Sequence, residues 1–302
     1  METEQKFRVE LKDVNISFNY FGYGIENSCN EKHFVLIATL SRPNAFNLRK
    51  GGGILGIVGL KGTDGLPSSI THKFFIGSVS DESLRQTLIK ESWQFGDIVF
   101  TSIQDAYLNL TLKMNALYQW QQNYCPKVSY LLRADEDTVL DVKRFEYFLY
   151  EKFNPLSYVL NDMAIFGHLF HKNPVLRNPN EKWYVPYEGY NVTYYPEYVQ
   201  GPCYLISSKA IKAILIEAKN HKHITVDDAF YMGIVREKAE ISVIDANKHF
   251  GYENPILRNE WECDTDGRPF LFNVCDKNGE IEEVPNGYKK TLKTLKELKC
   301  DK

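Results

Sequence analysis

No stretch of this chain is apolar for long enough to cross a bilayer. The longest apolar runs, such as Gly53 to Leu60, fall far short of the roughly 20 residues that a spanning helix needs. A broad basic field is missing too. Lys and Arg number 36 against 39 Asp and Glu, with a net charge of -3, so a nucleic-acid partner is disfavoured. The six cysteines (Cys29, Cys125, Cys203, Cys263, Cys275 and Cys300) include no C-x-x-C pair, which argues against a zinc site. None of the seven histidines forms an H-x-x-x-H or H-E-x-x-H pair, and no G-x-S-x-G, Walker or kinase pattern occurs. Met1 is followed by a charged stretch, Glu2 to Glu10, rather than by an apolar signal core. The expectation is a cytosolic chain, or one whose targeting segment lies outside this sequence.

What is abundant is aromatic: 19 Tyr, 18 Phe and 4 Trp. Such a stock suits a site that stacks on flat ligands, sugars included, and it equally suits a Tyr-rich core. Asn15-Ile16-Ser17, Asn109-Leu110-Thr111 and Asn191-Val192-Thr193 fit the N-glycosylation pattern. With an even number of cysteines, they tilt the reading toward a secretory compartment. The 302 residues suffice for one large α/β domain or two small ones. With no internal repeat and no long linker, one domain is the better count.

His33 to Leu40 reads as a buried strand, followed by the turn Ser41-Arg42-Pro43-Asn44. Lys50 to Gly65 holds seven glycines and reads as a loop. Strands are expected at Lys73 to Gly77 and Asp97 to Thr101. Between them Asp81 to Phe95 reads as a helix with Leu84, Leu88 and Trp93 on one face, capped by Ser80 or Asp81. Asp105 to Tyr124 is the clearest helix, with an apolar stripe of Tyr107, Leu110, Met114 and Leu117. Lys127 to Ala134 reads as a strand ending at Asp135, Val142 to Phe153 as a helix, and Ala164 to Phe170 as a strand. Lys182 to Gly201, crowded with Tyr, Trp and Pro, reads as a long surface excursion. A strand begins at Tyr204, helices come next at Lys209 to Lys219 and Asp227 to Lys238, then a strand at Ile241 to Ile244 and a last helix at Tyr288 to Leu298. This alternation predicts a mainly parallel sheet covered by helices.

Two acidic clusters carry the candidate chemistry. Asp135-Glu136-Asp137 stands at the C-terminal end of an apolar strand, where open α/β sheets bind ligands. Three adjacent carboxylates repel one another, and a hard cation such as Mg²⁺ or Mn²⁺ would relieve that and bridge to a diphosphate. An acidic turn capping the helix from Val142 explains the same residues about as well. Thr225-Val226-Asp227-Asp228 precedes a helix. Capping accounts for one of its carboxylates; the other is a candidate general base for a sugar hydroxyl. His249 comes after the last expected sheet strand, a weak candidate for a distant metal ligand.

Four blocks, in this order, resemble the β-1,3-galactosyltransferase and N-acetylglucosaminyltransferase family (glycosyltransferase family 31), in particular its nematode-like branch. They are Phe74 to Cys125, Tyr130 to Phe145 (YLLRADEDTVLDVKRF), Lys182 to Ser207 (KWYVPYEGYNVTYYPEYVQGPCYLIS) and Ile224 to Gly233 (ITVDDAFYMG). The resemblance covers residues 30 to 250. It implies a Rossmann-like nucleotide-sugar transferase fold of the A type, with a mixed, mostly parallel sheet. Residues 31–250 would be the catalytic domain, 1–30 an N-terminal segment and 251–302 a C-terminal extension packing on the same domain.

The resemblance further implies an inverting, Mn²⁺- or Mg²⁺-dependent hexosyltransferase. It would move galactose or an N-acetylhexosamine from a UDP-hexose donor to the glycan of a glycoprotein or glycolipid, in β-1,3 linkage. Carried over, Asp135 and Glu136 would contact nucleotide and ribose. Asp137, with Asp135 and weakly His249, would ligate the metal, and Asp228 would be the base. Trp183, Tyr198, Gly201, Tyr204 and Asp227 would line the acceptor or donor pocket. Family members are usually Golgi type II membrane proteins, which implies the Golgi lumen; this chain shows no membrane span. Two departures stand out. The family's "R..IR.TW" is here Arg49-Lys50-Gly51-Gly52-Gly53, with glycines in place of helix and tryptophan. Phe272-Asn273-Val274 stands where a C-terminal metal-binding His is usual. A catalytically inactive homologue that binds glycan or nucleotide sugar is the alternative. A metal-dependent phosphohydrolase is a third reading, one that leaves the Lys182 to Ser207 block without a role.

Overall fold

A computed structural model describes residues 6–23, 29–51, 66–252, 254–276, 279, 281 and 286–300. Its strands in chain order are β1 (Phe7–Leu11), β2 (Val14–Phe18), β3 (Tyr20–Phe21), β4 (Val35–Leu40), β5 (Ile70–Ser78), β6 (Ile98–Gln104), β7 (Tyr130–Asp135), β8 (Thr138–Leu140), β9 (Ala164–Phe170), β10 (Tyr198–Ser207), β11 (Ser242–Asp245), β12 (Phe250–Gly251) and β13 (Asn273–Cys275). Eight of them form the main sheet in the order β11-β9-β10-β7-β4-β5-β6-β3. The pairings β4–β5, β4–β7, β5–β6 and β9–β11 are parallel. β10 runs antiparallel to both β7 and β9, and β3 to β6. The expected mixed, mostly parallel sheet is thus what forms. Its centre reads as unbroken apolar sequence because both faces are covered: all six residues of β4 are buried.

The α-helices of six or more residues are α1 (Phe46–Gly51), α2 (Glu82–Phe95), α3 (Leu110–Tyr124), α4 (Val142–Phe148), α5 (Asn154–Val159) and α6 (Ser208–Glu217), with a last one at Gly287–Glu297. One face of the sheet (Leu36, Ala38, Leu131, Ile206) packs on Met114 and Leu117 of α3 and on Ile211 and Ile214 of α6. The other (Val35, Ile37, Leu132, Leu205) packs on Phe145 and Phe148 of α4 and on Phe153. Asp81 caps α2 by accepting from the Leu84 N–H.

Several local expectations give way. Trp93 is 68% exposed and stacks on Tyr23 instead of joining Leu88 in the core; five positions past Leu88 is well off a helical stripe. Tyr107 heads a 3₁₀ turn, Tyr107–Asn109, so α3 starts only at Leu110. The helix from Val142 passes through a π-helical turn at Leu149–Phe153 into α5. Lys182 to Gly201 is not all surface, since Tyr198 to Gln200 open a buried strand. The glycine run does not abolish the helix at its start, because Phe46–Gly51 is helical; residues 52–65 lie outside the described residues.

At the N-terminal side, β1 and β2 form a hairpin and β3 adds to the sheet edge. β13 pairs with β8 and β12, which lays the C-terminal segment beside the turn after β7. Cys29 is bonded to Cys125 and Cys263 to Cys300, while Cys203 and Cys275 are buried and unpaired. Among the described residues no helix is long and apolar enough to cross a membrane. Asn15 and Asn191 are exposed. The Asn109 amide instead donates to the Gln104 carbonyl at 3.0 Å. Made in a secretory host, the chain is expected to carry glycan on Asn15 or Asn191 and none on Asn109. Peptide mapping with and without glycosidase checks this; glycan on Asn109 alone would contradict the described geometry.

Candidate active site

β7 ends the site's first arm. Arg133 and Asp135 stand two apart on one face of the strand, and the Arg133 Nη2 meets Asp135 Oδ1 at 2.8 Å. Arg133 is buried, and its Nε and Nη1 have no hydrogen-bond partner. Burial works against its charge, but Asp135, Asp227 and Asp228 outweigh that and raise its pKa above the ordinary value. Glu136 turns the other way. Its oxygens accept from the Ser41 hydroxyl, the Arg42 backbone N–H at 2.8 Å and the Arg42 side chain. It thereby ties the end of β7 to the turn after β4. That turn is gripped a second time by Arg49 of α1, which donates to the carbonyls of Arg42 and Pro43 and forks onto Glu91 at 2.8 and 3.0 Å. Asp137 is next in the chain; burial, then the charges of Asp135 and Glu136, push it up to about 7.

The second arm is built around a bulge. β10 pairs with β9 at Tyr198 and Val199 and again from Tyr204, with a register shift between. The residues it sets free include Gly201 and Pro202. The Gly201 N–H donates to Asp228 Oδ2 at 3.0 Å, and Ala229 N–H to Oδ1 at 2.8 Å. A Cβ on Gly201 would lie a tight 3.3 Å from Asp228 Oδ2 and in ordinary contact, 3.5 Å, with Arg133 Nη1. The segment carrying Asp227 and Asp228 is fixed from α3. The Thr111 hydroxyl donates to the Ile224 carbonyl at 2.6 Å, and the Tyr231 hydroxyl to the Thr111 carbonyl at 2.9 Å. After Asp228 the chain forms a π-helical turn, Ala229–Val235, rather than the ordinary helix expected from Asp227. Burial first, then Asp228 and Asp135, lifts Asp227 to about 7 even though Arg133 opposes. Asp228 is raised as well by burial, against its two backbone donors.

These arms face one cavity of about 430 Å³. Asp135, Asp227, Asp228, Trp183, Tyr198 and Gly201 all line it. Tyr204 lies underneath: its hydroxyl bonds that of Tyr118 at 2.6 Å, and the Arg133 guanidinium sits 6.0 Å from its ring. Arg133, Tyr107, Lys182, Tyr195, Asn173 and Tyr252 also line the cavity and were not read from sequence as site residues. Lys182 reaches over the rings of both Tyr107 and Trp183. Tyr107 is pushed up to about 12 by burial, then by Asp227 and Asp228. Only Arg133 left a readable signal, a charge inside an apolar strand two residues before an acid.

Glu136, Asp137 and His249 do not line this cavity. The His249 ring is enclosed by Phe148, Phe153, Phe270 and Phe272, and its Nδ1 lies 3.1 Å from the Phe270 carbonyl. Burial, then Lys152, lowers it to about 4. The ring is thus packed among aromatic side chains. Asn273 and Val274 run in β13 beside β8, and Asp276 N–H donates to the Asp137 carbonyl. Among the described residues no three His, Cys, Asp or Glu side chains converge as a metal site on their own. A cation held by one or two carboxylates plus substrate phosphates needs no such cage. Asp135 lines the cavity, and Asp137 follows two residues on.

A mixed α/β sheet with acids at the end of a central strand, a second acid pair across a cavity and an aromatic wall define a glycosyltransferase domain of the A type. The model of the galactosyltransferase family matches residues 61–247, and the chain belongs to that family. It is similar to the lactosylceramide 1,3-N-acetyl-beta-D-glucosaminyltransferase of Xenopus tropicalis, 30% identical over 162 residues, 53% of this chain and 41% of the relative. The Homo sapiens protein of that name is 29% identical over 181 residues, 58% of this chain and 46% of the relative. N-acetyllactosaminide beta-1,3-N-acetylglucosaminyltransferase 4 of Mus musculus is 25% identical over 232 residues, 76% of this chain and 64% of the relative. The matches therefore span less than two thirds of each relative's own length.

Asp227 opposes folding once ionised. Its folded pKa of about 7 lies above the ordinary 3.8, so the native state holds the proton more tightly than the unfolded chain. The stability that goes with that proton is complete below 3.8 and is lost as pH rises to about 7. Asp227→Asn, with no charge to desolvate, is expected to melt above wild type at about pH 8 and to converge with it at about pH 4. Thermal melts across that range test this; a wild type more stable at the high end would mean that Arg133 more than offsets the desolvation.

Proposed function

We propose that this chain is an inverting, metal-dependent hexosyltransferase, moving galactose or an N-acetylhexosamine from a UDP-sugar to a glycan hydroxyl in β-1,3 linkage. The observation that carries the reading is one cavity in which Asp135 and Asp228 stand on either side of the buried Arg133. Asp228 takes the proton of the acceptor hydroxyl as its oxygen attacks the anomeric carbon. The bond from that carbon to the UDP oxygen breaks, and its electron pair leaves with UDP. Gly201 and Ala229 N–H groups hold the Asp228 carboxylate in place. Trp183 and Tyr198 line the pocket that would receive the sugars, and Arg133 keeps the carboxylates from repelling one another apart. Asp137, with Asp135, would hold Mn²⁺ or Mg²⁺, which when bound neutralises charge on the departing diphosphate. Glu136 acts from behind, through Ser41 and Arg42. Residues 31–250 are proposed as the catalytic domain, working in the Golgi lumen, a reading that the two disulfides and exposed sequons support. The relatives' names make lactosyl and N-acetyllactosaminide glycans the first acceptors to assay.

Asp137→Ala is expected to abolish the dependence of UDP binding on Mn²⁺. Calorimetry in Mn²⁺ and in EDTA decides it, and equal wild-type affinity in both would remove the metal from the mechanism.

Asp228→Asn is expected to lower turnover by roughly 10²–10⁴-fold, the range for a lost general base. Both carboxylate oxygens accept backbone N–H groups. The amide can keep one of these bonds, so a stability loss of about 1 kcal/mol accompanies the change. UDP affinity should hold. Turnover, UDP affinity and melting temperature on the same preparations make the test. A wild type that binds UDP or glycan yet turns over no donor would instead establish a binding homologue.

A further inference from the structure

A second cavity, of about 450 Å³, opens beside the transfer pocket. His168, Lys248, Tyr252, Arg258, Trp261 and Glu262 are among the residues that line it. Tyr252 lines both cavities. His168 and Phe170 stand two apart on β9, hence on one face of the sheet. The Tyr252 ring lies 5.6 Å from His168 and 5.3 Å from Phe170, which itself borders the transfer pocket. The row of rings continues to Tyr198 at 5.5 Å. The two cavities are thus steps along one aromatic track.

The walls of the second cavity are built, not incidental. The Trp261 indole N–H donates to the Lys299 carbonyl at 3.2 Å, and the neighbouring Cys263 is bonded to Cys300, so the platform is anchored to the chain's last segment. Lys248 is paired with Glu262 at 2.5 Å. Arg258 and Glu260 add one charge of each sign. The lining charges of Lys248, Arg258, Glu260 and Glu262 cancel, which offers a phosphate or nucleotide little net attraction. Ring faces surrounded by charge-bearing donors and acceptors suit a neutral ligand with an apolar face and a hydroxyl rim.

We propose that this groove is a second saccharide subsite, which takes sugar units of the acceptor chain inward from the accepting hydroxyl; the proposal rests on the hexosyltransferase reading. The transfer pocket then holds the terminal sugar, and the groove past Tyr252 holds the sugars behind it. Chain length becomes a determinant of acceptor choice.

The test compares N-acetyllactosamine with its linear tetrasaccharide as acceptors, using UDP-sugar and Mn²⁺. For wild type the KM of the tetrasaccharide is expected to be roughly tenfold lower, about the worth of one well-formed aromatic contact. Trp261→Ala and Arg258→Ala should erase that advantage while leaving kcat on the disaccharide unchanged. Arg258 is exposed, so its variant carries the test should Trp261→Ala not fold. Equal KM for both lengths in wild type, or an advantage kept in both variants, overturns the subsite. Absence of transfer to either acceptor is a failure of the hexosyltransferase reading alone. The groove is then judged by tryptophan fluorescence without donor. Quenching by the tetrasaccharide that is lost in Trp261→Phe supports the subsite, and no quenching in wild type overturns it.

Discussion

Arg133 is buried, and two of its nitrogens have no hydrogen-bond partner. Around it stand Asp135, Asp227 and Asp228, contributed by two segments that are remote in sequence. A buried guanidinium without carboxylates would be costly, and so would three carboxylates without a cation. Each arm of the site is therefore tolerable only because the other is present.

The fold delivers the two arms by different devices. Parallel pairing of β7 with β4 brings Asp135 level with Leu40 at the rim where ligands gather. The antiparallel strand β10 would by itself run straight past that rim. Its bulge lifts Gly201 out of register, and a residue without Cβ lets a backbone N–H meet Asp228. α3 holds the other side through Thr111 and Tyr231. Irregular backbone adjoins the acids: a bulge in β10 and a π-helical turn after Asp228. Burial and neighbouring acids hold Asp137 and Asp227 above the ordinary carboxylate range.

The departures near the first strand look different once folded. Arg49 survives from the family's motif, and its fork onto Glu91 and the carbonyls of Arg42 and Pro43 shapes the turn against which Glu136 rests. The acidic motif is thus divided in its surroundings: Asp135 lines the cavity, Glu136 is bound to the β4 turn, and Asp137 is held above the ordinary carboxylate range by burial. Three consecutive letters of one composition have three environments, because a strand end and the turn after it send successive side chains in different directions.

By itself the sequence determined the alternation of apolar strands and helices, and with it a covered, mostly parallel sheet, since buried strands and amphipathic helices announce their periods locally. It also marked Asp135 and Asp228 as candidates, because acids at a strand end and ahead of a helix can be read within a few residues. Only the tertiary structure decided that these acids share one cavity. It turned Lys182 to Gly201 from an excursion into a wall, drew Tyr107 out of its helix and put Tyr252 between two cavities. It also seated His249 among phenylalanines. The physical reason is range. Propensity and period act over a few residues, whereas burial, register shift and the balance of charges around Arg133 depend on segments about a hundred positions apart, whose meeting no local pattern encodes.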